Sequence, residues 1–191
     1  MSGFQPVKTV VRITPLTLSR REGGRTNNEL LSRLYELYSR EIYLYLYSMC
    51  RNSGQAEDMM QECFLRAILS LNDDHGNMRA WLYRVARNLL TDQLRSRRSG
   101  VSLDDLTETP SDAPGPLALY LRTEKHRQLM EKLATREPRR REVLSLQYFG
   151  GLSQKEIAAL LHLSHENVRI LSLRARRELK QRLEEDGYDF S

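Results

Sequence analysis

Apolar residues recur at intervals of three and four along much of the chain, and this spacing predicts α-helices. The first predicted helix begins at Asn27, the second follows a predicted N-cap at Ser53, and the third begins near Met78. The segment IYLYLY at 42–47 alternates as a strand would, but helical spacing continues on both sides of it and no hairpin signal bounds it. Residues 27–99 are therefore predicted to form a helical domain.

A polar segment at 100–116 separates this domain from the rest of the chain. It contains three prolines and four acidic residues but neither lysine nor arginine, which predicts a flexible acidic linker. Helical spacing resumes at Leu117, and Pro138 suits the first turn of a further helix. The predicted fold class is all-α, with two small helical domains, 27–99 and 117–185, joined by this linker.

Both ends of the chain fall outside the predicted domains. Residues 1–26 include SRREGG, a charged and glycine-rich break, and are predicted to be a mobile N-terminal extension. The segment VKTVVRI within them would also fit a docking strand. Residues 186–191 are predicted to be a C-terminal tail.

The second domain contains two short predicted helices with a tight junction. Ser153 and Glu156 fit an S-x-x-E capping box, HLS at 162–164 makes a turn, and Ser164 can cap the next helix. That helix is rich in arginine, which is typical of a DNA-binding helix-turn-helix. The alternative is a helical hairpin with a solvated basic face. Capping, turn and charge together favour DNA binding, although LuxR-type regulators carry a similar segment.

Composition adds little to this picture and excludes several functions. The net charge of +5 and the isoelectric point of about 9.4 weakly favour a polyanionic partner. Cys50 and Cys63 lack metal-ligand spacing and are predicted to be helix cysteines in a reduced cytosol. There is no predicted signal peptide or membrane span. Without a nucleophile–histidine pattern or phosphate loop, the chain is not expected to be an enzyme or to carry a catalytic residue, a cofactor or a metal.

Two stretches of the first domain are the most informative. They are AEDMMQECFLRAI at 56–68 and AWLYRVARNLLTDQLRSRR at 80–98. In the second, Trp81 and Tyr83 stand beside arginines, which suits single-stranded nucleic acid, although an ordinary amphipathic helix with Trp81 in the core is the alternative. Together the two stretches resemble region two of bacterial sigma-70 family sigma factors of the extracytoplasmic-function (ECF) group.

The resemblance covers about 28–99 and, as region four, about 117–183. The middle sigma domain is absent, which is typical of the ECF group. A LuxR-type regulator would carry a receiver or ligand-binding domain instead. The resemblance implies a sigma factor that directs promoter-specific transcription initiation in the cytoplasm. A stand-alone LuxR-type helix-turn-helix regulator, or a helical interaction module that does not bind DNA, are the alternatives.

The resemblance also implies partners and their binding residues. The partners would be core RNA polymerase, through its β and β′ subunits, promoter DNA and an anti-sigma factor. The residues that would bind the β′ clamp helices are Asp58, Gln61 and Glu62. The residues that would recognise and melt the minus-ten element are Asn72, Asn77, Arg84, Arg87, Asn88, Asp92 and Arg95. The residues that would read the minus-thirty-five element are Arg169, Ile170, Leu173, Arg174 and Arg176.

The recognition helix departs from the usual region four pattern at three successive positions. Region four usually has a small polar residue and then arginine where this chain has Ile170 and Leu171, and an apolar residue where it has Ser172. The recognition helix would then be slightly rotated, or would use apolar contacts with thymine methyl groups. In region two, the resemblance places Trp81 in the core and leaves Tyr83 outside it.

Overall fold

The computed structural model describes residues 27–69, 77–98, 131–133 and 137–185. Regular secondary structure within these ranges is helical, which confirms the predicted all-α fold. Its principal helices are α1 (Asn27–Cys50), α2 (Ser53–Leu69), α3 (Met78–Arg98), α4 (Pro138–Tyr148), α5 (Gln154–Leu161) and α6 (His165–Glu185). The predicted N-terminal extension, acidic linker and C-terminal tail lie outside the described residues, as does Asn72.

Helices α1 to α3 form an N-terminal bundle in which α1 is the central element. The IYLYLY segment is helical, and its residues 42–46 are all buried. A helix that is buried all round needs neighbours on several sides. Here α2 and α3 pack against α1 from within the bundle, and α4 packs against it from the other half of the chain. The alternation of apolar residues at 42–47 therefore reflects burial on several faces, not a strand.

The N-cap of α2 lies one residue earlier than the sequence predicts. The backbone N–H of Gln55 donates to Asn52 Oδ1 over 2.9 Å, so Asn52 caps the helix. Ser53 is the first residue of α2, and its hydroxyl is hydrogen-bonded to that of Tyr43 over 3.1 Å. The prediction of Ser53 as the N-cap is therefore wrong by one residue. Asparagine and serine are about equally preferred at N-cap positions, so the sequence alone did not distinguish Asn52 from Ser53.

Helix α3 places its two aromatic residues in the opposite way from the expectation. Tyr83 is 0% exposed and packs edge-to-face on Tyr45, with ring centroids 5.6 Å apart. Trp81 is only partly buried. Trp81 packs against the edge of the core, so the expectation is wrong in leaving Tyr83 outside the core. The buried face of α3 runs through Met78 and Leu82, and Tyr83 flanks it, because α1 offers an aromatic partner there.

Helices α4 to α6 form a C-terminal bundle whose caps match the sequence patterns. Pro138 opens α4, and the Glu137 side chain accepts from the first free backbone N–H groups. Both hydrogen bonds of the Ser153–Glu156 capping box are present at the start of α5. His162 ends α5 in the left-handed conformation with φ of 54°, and Ser164 Oγ accepts from the Asn167 N–H at the start of α6. The predicted helix-turn-helix is confirmed.

The two bundles are packed against each other, α1 on α4 and α3 on α5. Buried side chains from both bundles belong to one continuous apolar core. Its members from the C-terminal bundle are Val143, Leu146, Leu152, Ile157, Ala158, Leu160, Leu161 and Val168. The two bundles are therefore packed together around this common core.

Candidate protein and nucleic-acid interfaces

The outer face of α2 combines acidic and apolar side chains. Asp58 and Gln61 are exposed, and Glu62 is partly exposed with its carboxylate 2.7 Å from the Arg66 Nε. The same face continues with Leu65 and Leu69, which are 55% and 83% exposed. Because Asp58, Glu62, Leu65 and Leu69 follow at intervals of four, three and four, they project from one side of the helix.

This arrangement brings together the three residues predicted to bind a protein partner and adds two that the sequence reading missed. Exposed leucines next to each other on a helix face are typical of a protein-binding surface. The exposure of Leu65 and Leu69 could have been predicted from the sequence. Their spacing places them on a different side of the helix from the buried residues Met60, Phe64 and Ala67. We call Asp58, Gln61, Glu62, Leu65 and Leu69 the α2 face.

Helix α3 displays a second, polar surface. Arg84, Asn88, Asp92 and Arg95 are all exposed, and their spacing puts them on one side of the helix. We call these four residues the α3 face. Asp92 and Arg95 lie 3.9 Å apart at its C-terminal end. Trp81 lies one turn before Arg84 on this side, so it is the aromatic residue nearest to the face.

The remaining described residues of the predicted minus-ten set are turned toward the C-terminal bundle. Arg87 Nε donates to Glu142 Oε1 over 3.0 Å. Asn77 caps α3 by accepting from the Ala80 N–H, and its Nδ2 donates to Glu156 Oε1 over 3.2 Å. The structure therefore separates Asn77 and Arg87 from the α3 face.

Helix α6 buries one side against α4 and α5 and exposes the other. The buried residues are Val168, Ser172, Ala175 and Leu179. At about 100° per residue, the opposite side is centred on Ile170 and Arg177, with Leu173 and Arg174 about 50° from that centre. Arg169 and Arg176 lie on one flank. Arg177 lies on this outward side but is not in the predicted set, which followed the family resemblance position by position.

Ser172 explains the departure of α6 from the expected family pattern. Its hydroxyl is buried and donates to Gln147 Oε1 of α4 over 2.7 Å. A polar pair thus replaces an apolar contact, while Val168 and Ala175 stay buried beside it. The helix need not rotate to accommodate the serine.

Arg169 is held by a carboxylate one turn earlier on the same helix. Its Nε and Nη2 donate to the two Glu166 oxygens over 2.9 and 2.6 Å. These hydrogen bonds are the main cause of the lowered pKa of Glu166. Both side chains are exposed, so the pair contributes little to stability.

Glu156 joins the capping box to the other bundle. Burial by itself would raise the pKa of its carboxyl group, but hydrogen bonds from Ser153 and Asn77 and the charge of Arg79 lower the pKa overall. The stabilisation from Glu156 is thus present above its ordinary pKa of 4.5 and is lost as the pH falls through its lower folded-state value. The carboxylate is ionised at neutral pH.

We expect Ser153→Ala to lower the free energy of unfolding by about 1 kcal/mol, because one N-terminal backbone donor of α5 loses its acceptor. Urea unfolding at neutral pH measures the change. Ser153→Thr is the matched control, since threonine keeps the hydroxyl group. An unchanged unfolding midpoint for Ser153→Ala would show that the capping box does not stabilise this helix.

The described residues offer no sign of catalytic or metal chemistry. No group of three or more histidine, cysteine or acidic side chains among them could hold a metal ion. Burial raises the pKa of the Cys63 thiol to about 12, so it is protonated and a poor nucleophile at neutral pH. None of the helices within the described ranges is long and apolar enough to cross a membrane.

Comparison with known proteins gives the family. The model for Sigma-70 region 2 matches residues 34–100, and the model for Sigma-70 region 4 matches residues 126–179. The Bacillus subtilis RNA polymerase sigma factor YlaC is 31% identical over 165 residues, which cover 82% of this chain and 94% of YlaC. The Bacillus subtilis ECF RNA polymerase sigma factor SigM is 29% identical over 156 residues, covering 78% and 93%.

The chain is a sigma-70 family sigma factor of the ECF group. Its function is promoter-directed initiation of transcription. Both family models describe sigma-70 regions, so the LuxR-type alternative has no support. The fold agrees with the sigma factor RpoE from Bartonella quintana, solved in complex with the anti-sigma factor NepR. The TM-score is 0.65 at 23% identity, and the match covers 82% of this sigma factor and 98% of that chain.

Proposed function

We propose that three helix faces of this ECF sigma factor bind three different targets. The α2 face binds core RNA polymerase, the α3 face captures the opened minus-ten element, and the outward side of α6 reads the minus-thirty-five element. Region two would occupy 27–99 and region four 117–185, with 100–116 as the linker. The observation that carries this proposal is the different chemistry of the three exposed surfaces: acidic and apolar on α2, polar and cationic on α3, cationic and apolar on α6.

The polymerase assignment rests on complementarity. Asp58, Gln61 and Glu62 present acidic and amide groups at one end of the α2 face, and Leu65 and Leu69 present apolar area at the other. A basic surface with an apolar patch, as expected of the β′ clamp helices, would satisfy both ends. Charge pairs guide the encounter and the orientation, whereas the leucines supply buried apolar area.

The minus-ten assignment rests on the chemistry of unpaired DNA. Arg84 and Arg95 can hold phosphates, while Asn88 offers both a donor and an acceptor to a base edge. Trp81 stands at the start of the same side, where a partly exposed ring can stack on an unpaired base. Tyr83 cannot serve in this way because it is fully buried. Asp92 would orient Arg95 through their 3.9 Å contact.

The minus-thirty-five assignment uses both cationic and apolar side chains of α6. Arg174 and Arg177 lie beside Ile170 and Leu173, and Leu173 is 46% exposed. Arginine can make paired hydrogen bonds to guanine, and apolar side chains can contact the methyl group of thymine. Arg169 would reach the groove from the flank after leaving Glu166, and Arg176 would contact the backbone.

We expect Arg169→Ala and Arg174→Ala each to weaken binding to duplex DNA carrying the minus-thirty-five element by about 1–3 kcal/mol and to relax specificity at one base pair. Fluorescence anisotropy with the element and its single-base variants, at one salt concentration, measures both effects. Lys180→Ala near the C-terminal end of α6 is the matched control. An equal loss on every sequence would make the two arginines phosphate anchors and contradict their assignment as base readers.

An anti-sigma factor is a proposed partner. Its support is the ECF membership of the chain, together with the fold shared with RpoE from Bartonella quintana, which was solved bound to an anti-sigma factor. We also propose that the protein is cytoplasmic, where RNA polymerase acts, and that it works without catalytic chemistry or a cofactor of its own.

Run-off transcription tests the proposed function as a whole. The purified full chain, added to core RNA polymerase, should yield a transcript of defined length from a cognate promoter and none from a promoter with a scrambled minus-thirty-five element. A stand-alone regulator would bind the DNA without supporting transcription by core enzyme. Absence of a chain-dependent transcript from every promoter in a genomic library would contradict the proposal.

A further inference from the structure

The outward side of α6 begins with an acidic residue. Glu166 is the second residue of the helix, and 58% of its side chain is exposed. At about 100° per residue, Glu166 lies about 30° from the centre of the outward side, whereas Arg169 lies about 90° from that centre. In a helix-turn-helix, side chains near the N-terminal end of the second helix contact the base edges. Glu166 therefore faces the DNA more directly than Arg169 does.

Glu166 and Arg169 form a bidentate ion pair at this end of the helix. Both carboxylate oxygens accept from the arginine, over 2.9 Å from Nε and 2.6 Å from Nη2. These hydrogen bonds hold the pKa of the Glu166 carboxyl group below its ordinary value, so the group is ionised at neutral pH. An ionised carboxylate accepts hydrogen bonds and donates none. The outward side of α6 thus presents an acceptor to the DNA at this position.

The four bases differ in what they offer to a carboxylate in the major groove. Guanine presents two acceptors there, thymine presents an acceptor and a methyl group, and adenine presents an acceptor beside its amino group. Cytosine presents its N4 amino group, a donor, with no acceptor on its own edge. A carboxylate that faces an acceptor is repelled, because neither group has a hydrogen to share. Cytosine is therefore the base that Glu166 contacts most favourably.

The ion pair links the contact of Glu166 with DNA to that of Arg169. While the pair persists, the Nε and Nη2 donors of Arg169 are occupied. Where Glu166 faces an acceptor or a phosphate, loss of the pair would leave its carboxylate against another acceptor, so the pair persists. Where Glu166 faces cytosine, the amino group takes the place of Arg169 as the donor. The guanidinium group can then turn to a neighbouring guanine or phosphate.

The pair is weak enough for this exchange. Both side chains are more than half exposed, and an exposed ion pair is worth at most about fivefold in an equilibrium constant. A hydrogen bond from an amino group to a carboxylate is charge-assisted, so a cytosine amino group can offset the loss of the pair. At a site without this cytosine, no donor on the DNA offsets it.

We propose that Glu166 is a specificity-determining residue that makes the contact of Arg169 with DNA conditional on a cytosine in the minus-thirty-five element. The inference rests on the proposed reading of that element by α6. Glu166 acts by exclusion, because it disfavours sites that lack the cytosine and withholds Arg169 from them. It is not in the predicted set of reading residues, whose members are all cationic or apolar.

Binding-site selection by holoenzyme locates the base that Glu166 reads. Core RNA polymerase assembled with the full chain selects from promoter duplexes randomised across the minus-thirty-five element, at one salt concentration. We expect the parent chain to enrich cytosine at one position of one strand, and Glu166→Gln to lose this enrichment alone. Glutamine has nearly the same shape but donates as well as accepts, so it tolerates an acceptor on the DNA.

The matched control is Glu184→Gln, which makes the same change elsewhere on α6. Glu184 is also exposed and also pairs with a cation, since its Oε1 lies 3.4 Å from Lys180 Nζ. It lies 18 residues beyond Glu166, or about 27 Å along the helix, and therefore away from the end that meets the base edges. The control should select the same sequences as the parent chain.

A double-mutant cycle on two promoters tests the link between the two residues. Holoenzyme binding is measured on the selected promoter and on a variant in which thymine replaces the cytosine. In the parent chain, Arg169→Ala should weaken binding about tenfold at the cytosine site and less than about twofold at the thymine site. In the Glu166→Gln background it should weaken both by the same factor, because the arginine is no longer withheld. Glu166→Gln itself should strengthen binding to the thymine site about threefold to fivefold.

The outcomes separate this inference from the proposed function. Equal cytosine enrichment by the parent chain and by Glu166→Gln would overturn the role of Glu166. So would an equal loss from Arg169→Ala on both promoters in the parent chain. In either case, a parent pool with a defined minus-thirty-five sequence leaves the reading by α6 in place. A parent pool without any preferred base in that element would instead contradict the proposed function, and the inference with it.

Discussion

Asp58→Arg is expected to weaken holoenzyme assembly on the order of a hundredfold while leaving the fold intact. The Asp58 side chain is exposed on the α2 face, so a charge change there removes no packing. Against a basic clamp surface the reversal turns attraction into repulsion, and like-charge contact in an interface costs several kcal/mol, on the order of a hundredfold or more in affinity. Co-purification with tagged core RNA polymerase measures the loss.

The matched control for Asp58→Arg is Glu36→Arg, which makes the same charge change at an exposed position on α1. It should assemble normally. Leu65→Asp should also prevent assembly, because it places an uncompensated charge in the apolar half of the α2 face. Co-purification of Asp58→Arg at the level of the parent chain would contradict the assignment of α2 to polymerase.

Arg84→Ala/Asn88→Ala is expected to reduce run-off transcription from a duplex promoter about tenfold or more. Capture of an unpaired base must offset the few kcal/mol of unstacking, and the double variant removes one phosphate contact and one base contact. A template already mismatched across the minus-ten element needs no melting. On that template we expect transcription to be largely restored at the same salt concentration.

The double variant is preferable to one that includes Asn77, because Asn77 caps α3 and its loss would cost about 1 kcal/mol of stability as well. Glu36→Ala is the control within the same bundle and should transcribe equally from both templates. Equal impairment of the double variant on duplex and mismatched templates would mean that the α3 face does not act in melting.

Local sequence patterns predicted the helix-turn-helix correctly because its signals lie within a few residues of one another. The Ser153–Glu156 capping box and the Ser164 cap are satisfied by backbone groups of their own helices. Such contacts depend little on the rest of the protein. The same holds for Pro138 at the first position of α4.

The aromatic residues of α3 could not be assigned from periodicity. Trp81 and Tyr83 are two residues apart, so one of them must leave the core, but spacing does not say which. The contact of Tyr83 with Tyr45, and its closeness to Gly150, decide the matter. Both contacts depend on tertiary packing, which a local pattern does not encode.

The contacts between the two bundles also could not be predicted from local sequence patterns. Glu142 stands in PRRREVL, where the neighbouring arginines give no indication that this carboxylate is buried. Its partner Arg87 is 55 residues away in the chain. The assignment of Arg87 to DNA came from the family resemblance. The direction of its side chain toward α4 depends on the packing of the two bundles, which the resemblance did not give.

The Arg87–Glu142 pair is partly buried, so dissolved salt is expected to screen it less than it screens the exposed charges of the protein. Mobile ions screen exposed charges within about 10 Å at 0.1 M salt, but they screen a buried pair much less. Binding to DNA, in contrast, weakens steeply with salt because it releases condensed counterions from the phosphates. A rise in salt concentration is therefore expected to weaken the binding of DNA to the exposed arginines of α3 and α6 far more than it weakens the contact between Arg87 and Glu142.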